Sequence, residues 1–297
     1  MLKRTITAVV LVSFLMVMVF YVRQFWLGAG DITIALFGLV GTYELAHSLN
    51  TARDEQGNKR FNIMIAPIVL GMILVAPLSI YFAMTGLFMS ILFPTILALI
   101  IMTFRHEKYA LKDLFATVFT LIYPMAIMAM FFILNRTGNG EILSLFLVIA
   151  IAVLEDTCAY LVGVTVKGPK LCPSISPKKT ISGAIGGVLG GMLGAVVTFL
   201  MFDYAHLFDS FGNVTVTCLN ADWRISIGIY LAVGLVGGIV GELGDLGASA
   251  IKRKLGIKDY GKIFPGHGGF MDRIDSFVFV LPVVFLMCYF AFMFKGF

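Results

Sequence analysis

Long apolar stretches separated by short polar ones repeat along the whole chain, and their length matches a bilayer. Runs of about 17–25 apolar residues cross the hydrocarbon core as helices. About nine such runs can be placed, at 6–22, 31–48, 61–82, 86–104, 111–134, 142–165, 183–202, 225–248 and 275–295. The pattern predicts an all-α protein, a polytopic transmembrane helical bundle. Lys3 and Arg4 precede the first run as in a secretory signal. That run has no small-x-small cleavage site and exceeds a usual signal core, so it is expected to stay as an uncleaved first span.

Composition agrees with this picture. The chain of 297 residues is 59% hydrophobic and only 13% charged, with a mean hydropathy of +0.96. A soluble domain cannot bury that much apolar surface. Basic residues then set the orientation. With the N-terminus inside, the inner segments hold every Lys and Arg except Arg23, Arg136, Arg224 and Lys295. The positive-inside rule therefore predicts a cytoplasmic N-terminus and an external C-terminus. The net charge of +5 is explained by these inner loops and needs no nucleic acid as partner. Cys158, Cys172, Cys218 and Cys288 are scattered, with no Cys-x-x-Cys spacing, so neither a zinc site nor a disulfide framework is indicated.

The two halves differ in character. Residues 1–140 read as a transmembrane scaffold of about five spans with short connections. Residues 141–297 carry longer basic loops, 166–182 and 249–274, both expected on the cytoplasmic side. Glycines recur every four residues in this half, at 183, 187 and 191, at 186, 190 and 194, and at 234 and 238. Small residues at that period allow close helix approach in lipid, where packing replaces the hydrophobic effect. No phosphate-loop motif Gly-x-x-x-x-Gly-Lys-Ser/Thr occurs.

The candidate chemistry concentrates in residues 249–276, SAIKRKLGIKDYGKIFPGHGGFMDRIDS. Lys252, Arg253, Lys254, Lys258, Lys262 and Arg273 share this stretch with Asp259, Asp272 and Asp275. The Gly-His-Gly-Gly turn at 266–269 exposes backbone N–H groups. That inventory suits a polyphosphate held among basic side chains, amide donors and a carboxylate-bound divalent cation. Glu242, Asp245, Ser249 and Lys252 are spaced three, four and three apart, on one helical face. Asp272 and Asp275 also share a face at the start of the last span, where carboxylates complement the helix dipole.

This segment resembles the C-terminal signature of the phosphatidate cytidylyltransferases, also called CDP-diacylglycerol synthases. The matching residues are Ser249, Lys252-Arg253, Lys258-Asp259, Pro265, His267-Gly268-Gly269 and Asp272-Arg273-Ile274-Asp275. Gly244-Asp245-Leu246 and two blocks within 156–180, Asp156-Thr157 with Ala159-Tyr160 and Ser176-Pro177-Lys178-Lys179-Thr180, resemble further family patterns. The likeness covers roughly 156–276. It departs at Ala248, where many members are acidic, and at Ile181-Ser182, where they often have Trp-Glu.

The resemblance implies roles for these residues. Asp245 and Asp272 are expected to ligate Mg²⁺, with Asp275 bracing Arg273 or a metal-bound water; a second cation is left open. Lys252, Arg253, Lys258 and Arg273 are expected as phosphate clamps. Ser249, Gly268, Gly269, Ser176, Lys178 and Lys179 are expected to contact substrate. His267 either hydrogen-bonds a phosphate or ties down backbone. Asp156 either lines a polar cavity with Tyr160 or makes a structural hydrogen bond to another span. The bland reading of 176–182 is a cytoplasmic turn with Thr180 or Ser182 as helix N-cap. Lys254 and Lys262 read as plain positive-inside residues, and Glu44 as a carboxylate snorkelling to the interface.

The implied activity is Mg²⁺-dependent transfer of CMP from CTP to phosphatidic acid at the inner (cytoplasmic) membrane, in phospholipid biosynthesis. The products are CDP-diacylglycerol and pyrophosphate. CTP, phosphatidic acid, the lipid bilayer and a second copy in a homodimer are the implied partners. Two alternatives stand beside it. A related CTP-dependent transferase would act on an ether lipid or polyprenol. An ion-coupled transporter would use intramembrane carboxylates, but it predicts paired interrupted helices in both halves.

Overall fold

In the computed structural model the described residues are 17, 28–134, 141–205, 207, 223–261, 263 and 268–294. The expected span 6–22, apart from Val17, and most of 203–224 lie outside them, as do Lys262, Pro265 and His267. The described chain is almost entirely helical: α1 (Gly28–Thr51), α2 (Ile65–Phe104), α3 (Leu111–Thr120), α4 (Ile127–Leu134), α5 (Glu141–Thr165), α6 (Ile181–Phe199), α7 (Trp223–Leu255) and α8 (Met271–Phe294). One π-helical turn, Leu121–Ala126, joins α3 to α4, and another, Leu200–Tyr204, extends α6. Strands β1 (Lys170–Cys172) and β2 (Ser176–Thr180) form a short antiparallel hairpin. Among the described residues, 7 helical segments are long and apolar enough to cross a membrane.

The segments divide into two compact units. One comprises Met1–Arg136 with Ile251–Arg273, and the other Thr137–Ala250 with Ile274–Phe297.

Within the first unit, α2 holds 40 residues. A straight helix of that length would run about 60 Å at about 1.5 Å per residue, twice the hydrocarbon thickness. It is broken at Ala83 (φ 49, ψ −127). Gly86 has no room for a Cβ beside the Leu78 carbonyl, eight residues back, so the chain turns back on itself here. The break falls between the stretches 61–82 and 86–104 that the hydropathy pattern separates. Asp113, 3% exposed, organises the next connection. Its carboxylate accepts the Asn62 N–H (2.8 Å) and the Ala110 N–H (2.9 Å), so one acid satisfies backbone donors before α2 and α3.

In the second unit glycine sets the helix spacing. A Cβ on Gly190 would come within 2.7 Å of the Cys158 Cβ, and one on Gly194 within 2.5 Å of the Ala150 carbonyl, so this face rides on α5. A Cβ on Gly191 would stand 2.8 Å from both the Gly234 carbonyl and the Gly238 Cα of α7. The four-residue glycine period therefore packs α6 against two neighbours at once. The large side chains of α6 point the other way: Ile185 is 59% exposed, Leu189 60% and Leu193 48%, as suits a lipid-facing stripe.

Gly191→Val is expected to lose about 1–3 kcal/mol through overpacking, lowering the melting temperature in detergent by several degrees. Ile185→Val, on the lipid-facing stripe, is expected to leave it within about 1 °C. A thiol-reactive dye melt of the purified protein distinguishes the two.

Candidate functional site

The hairpin β1–β2 brings Lys179 to the acidic end of α7. Neighbouring strand residues point to opposite faces, so Lys178 and Lys179 cannot do the same job. Lys178 is exposed, whereas Lys179 is half-buried between two carboxylates. Its Nζ lies 2.7 Å from Asp245 Oδ2 and 2.9 Å from Glu242 Oε1. Burial works against the Lys179 charge, but Asp245 and then Glu242 outweigh it and raise the ammonium above its ordinary range. The stabilisation is therefore present at all pH values below the ordinary lysine range. It is lost only as pH climbs through the raised value.

More acid surrounds this lysine than one cation balances. Asp156 lies within the field of Asp245, Lys179 and Glu242, and its Oδ2 accepts from the Ser276 hydroxyl at 3.4 Å. Glu155 is fully buried, with a Cβ on Gly187 or Gly241 only 3.3 or 3.1 Å from its oxygens, and neither oxygen meets a hydrogen-bond donor. Glu242 Oε2 is buried and equally unsatisfied. The hairpin is held in place by its own cap: Thr180 Oγ1 accepts the Gly183 N–H at 3.1 Å, while the Ser182 hydroxyl donates to the Lys167 carbonyl. Of the two cap candidates, Thr180 is the one used.

The first unit carries a second lysine–carboxylate pair within the signature segment. Lys252 Nζ lies 2.6 Å from Asp272 Oδ1 and 5.4 Å from the Tyr260 ring centroid. Asp272 Oδ2 accepts the N–H groups of Tyr260 and Gly269, both at 2.9 Å. Two amides and an ammonium thus fix one carboxylate in the first turn of α8, where the helix dipole also favours it. Gly268 (φ +85) is crowded as well as left-handed: a Cβ there would come 2.9 Å from Asp272 Oδ2 and 3.1 Å from Asp259.

The other expected residues divide by exposure. Arg253, Lys258 and Arg273 are exposed, Ser249 and Ser176 half-buried, and Asp275 buried, with its Oδ1 taking the Ser276 N–H. His267 lies outside the described residues. Glu44 departs from its expected snorkelling. It is 3% exposed, and its Oε2 accepts the Met271 N–H at 2.8 Å. Nothing near Glu44 in sequence signals a partner 227 residues away.

Among the described residues no group of three or more His, Cys, Asp or Glu is arranged to hold a metal ion. Mg²⁺ needs only one or two protein carboxylates when phosphate oxygens and water complete its shell. The Lys179 ammonium, clasped by Glu242 and Asp245 beside an unsatisfied carboxylate oxygen, marks a position where a cation is favoured. The donor set there fits a hard divalent ion.

A family model described as the cytidylyltransferase family matches residues 2–291. The chain belongs to the cytidylyltransferase family. Both lysine–carboxylate pairs lie inside that match. Curated relatives within this cytidylyltransferase group include proteins named phosphatidate cytidylyltransferase. The one from Staphylococcus aureus (strain COL) is 39% identical over 156 residues, 52% of either chain. Those from Staphylococcus haemolyticus and Staphylococcus saprophyticus are 37% identical over 156 residues and 35% over 147. In the first of these matches the chain spans about half the length of its relative (52%).

Lys179→Met leaves Glu242 and Asp245 without their cation and is expected to lower the melting temperature by about 5 °C. Lys178→Met, on the exposed face of the same strand, is expected to change it by less than about 1 °C. Equal melting curves for the two variants would contradict the strand alternation that separates them.

Proposed function

We propose that this protein is a phosphatidate cytidylyltransferase of the cytoplasmic membrane, acting from its cytosolic side, where CTP is available. A phosphate oxygen of phosphatidic acid attacks the α-phosphorus of CTP; the α–β phosphoanhydride bond breaks and pyrophosphate leaves. CDP-diacylglycerol stays in the bilayer. A phosphate monoester is already ionised near neutral pH, so no general base is required. What must be overcome is repulsion between two anionic reactants.

The observation carrying this reading is that motif residues far apart in the chain form lysine–carboxylate pairs, Lys179–Asp245 and Lys252–Asp272. Simple positive-inside lysines would remain solvated. The names of the curated relatives supply the substrate pair. Lys179 and Lys252 bind phosphate as point charges, and exposed Arg253, Lys258 and Arg273 supply the remaining cationic contacts, Arg as a planar fork. Asp245 and Asp272 are the carboxylates we assign to Mg²⁺ binding. When bound, that ion supplies charge neutralisation for the phosphates. Ser249, Gly268 and Gly269 belong to the substrate contacts, and Asp275 orients neighbouring groups at the start of α8.

The decisive assay incubates purified protein with Mg²⁺, phosphatidic acid and each of the four nucleoside triphosphates. Pyrophosphate release with CTP alone is expected. No release with any nucleotide rejects the reading, and release with a polyprenol phosphate in place of phosphatidic acid redirects it to another lipid acceptor. Asp245→Asn and Asp272→Asn are each expected to reduce turnover at least a hundredfold, about 2.7 kcal/mol of transition-state stabilisation. Wild-type turnover in either variant removes that residue from the metal assignment.

A further inference from the structure

Helix α1 reaches into the signature segment at two points one turn apart. The Ser48 hydroxyl donates to the Tyr260 carbonyl at 3.0 Å. Glu44, four residues earlier on the same face, accepts the Met271 N–H at 2.8 Å. These ties sit at Tyr260 and at Met271. They also sit beside the two amides, Tyr260 N–H and Gly269 N–H, that fix the Asp272 carboxylate.

Gly261 and Gly269 close around Glu44. A Cβ on Gly261 or on Gly269 would collide with the Glu44 carboxylate, and the two glycines approach so closely that a Gly269 Cβ would stand 2.6 Å from the Gly261 nitrogen. The second oxygen, Glu44 Oε1, is buried and meets no donor. A buried carboxylate with an empty oxygen is costly to keep, and here it serves the backbone of the signature segment.

We infer that Glu44 is a positioning residue for the reaction: from the first half of the chain, it locks the backbone at Gly261, Gly269 and Met271 so that Asp272 and Lys252 are presented to the nucleotide. This rests on the function proposed above. The proposal adds a residue from outside the signature, whose effect passes through the Met271 and Gly269 backbone.

The test compares wild type, Glu44→Gln and Glu44→Ala in Mg²⁺-supported pyrophosphate release, with CTP and phosphatidic acid each varied. Glu44→Ala is expected to raise KM for CTP at least tenfold while KM for phosphatidic acid stays within threefold. Glu44→Gln retains a carbonyl acceptor for Met271 and is expected to keep KM for CTP within threefold of wild type. A merely structural role predicts a lower melting temperature and less active protein with both KM values unchanged, and that result overturns the proposal. So does a Gln variant as impaired in KM as the Ala variant. If Glu44→Ala does not fold, Ser48→Ala takes its place, with a rise of about threefold in KM for CTP expected and an unchanged value overturning the idea. An inactive wild type overturns the functional reading itself, an outcome distinct from an active enzyme indifferent to Glu44.

Discussion

Charge held at the margin of a low-dielectric slab governs the arrangement of this protein. An isolated ammonium or carboxylate there is costly, and a pair is tolerable only when geometry is close and further donors complete it. Lys179 meets that condition by sitting between Glu242 and Asp245 at 2.9 and 2.7 Å. The hairpin that delivers it, with its Thr180 cap, exists within that requirement: a flexible loop could not hold the lysine there against solvation. Asp272 meets the same condition differently, through two backbone amides and Lys252.

The two arrangements have unequal reserves. Every Asp272 oxygen is engaged, so its placement is rigid. Around Lys179 acid exceeds base, with Glu155 and Glu242 oxygens unsatisfied. A cluster of that composition favours added positive charge, while the Asp272 group favours a fixed direction. In the proposed reaction, neutralisation would lower repulsion between anions and rigidity would keep attack in line.

Much of this was legible in the chain, for identifiable reasons. Membrane helices announce themselves by length and apolarity, so 111–134 and 142–165 reappear nearly intact, and the break at Ala83 falls in the short gap left between two predicted spans. The Gly-x-x-x-Gly spacing foretold close helix contact because period and residue size suffice to specify it. The signature residues were visible through order and spacing. What pattern could not supply was orientation across long separations. Glu44 looked like a lone interfacial acid because its partner is Met271. Lys178 and Lys179 looked equivalent until the strand put them on opposite faces. The hydrogen bond from Ser48 to Tyr260 likewise joins residues that no local rule connects.

Helix α6 has a wider implication. Its glycines face its partners, and its bulky Ile185, Leu189 and Leu193 face outward. In a water-soluble protein the greasy stripe of a helix identifies the interior, so the same sequence judged by that habit would be rotated half a turn. Here side-chain volume, and not oiliness, tells inside from outside. Drift among relatives should therefore be freest along the large-residue stripe, where one aliphatic group can replace another against fluid acyl chains, and most restricted where nothing larger than hydrogen fits.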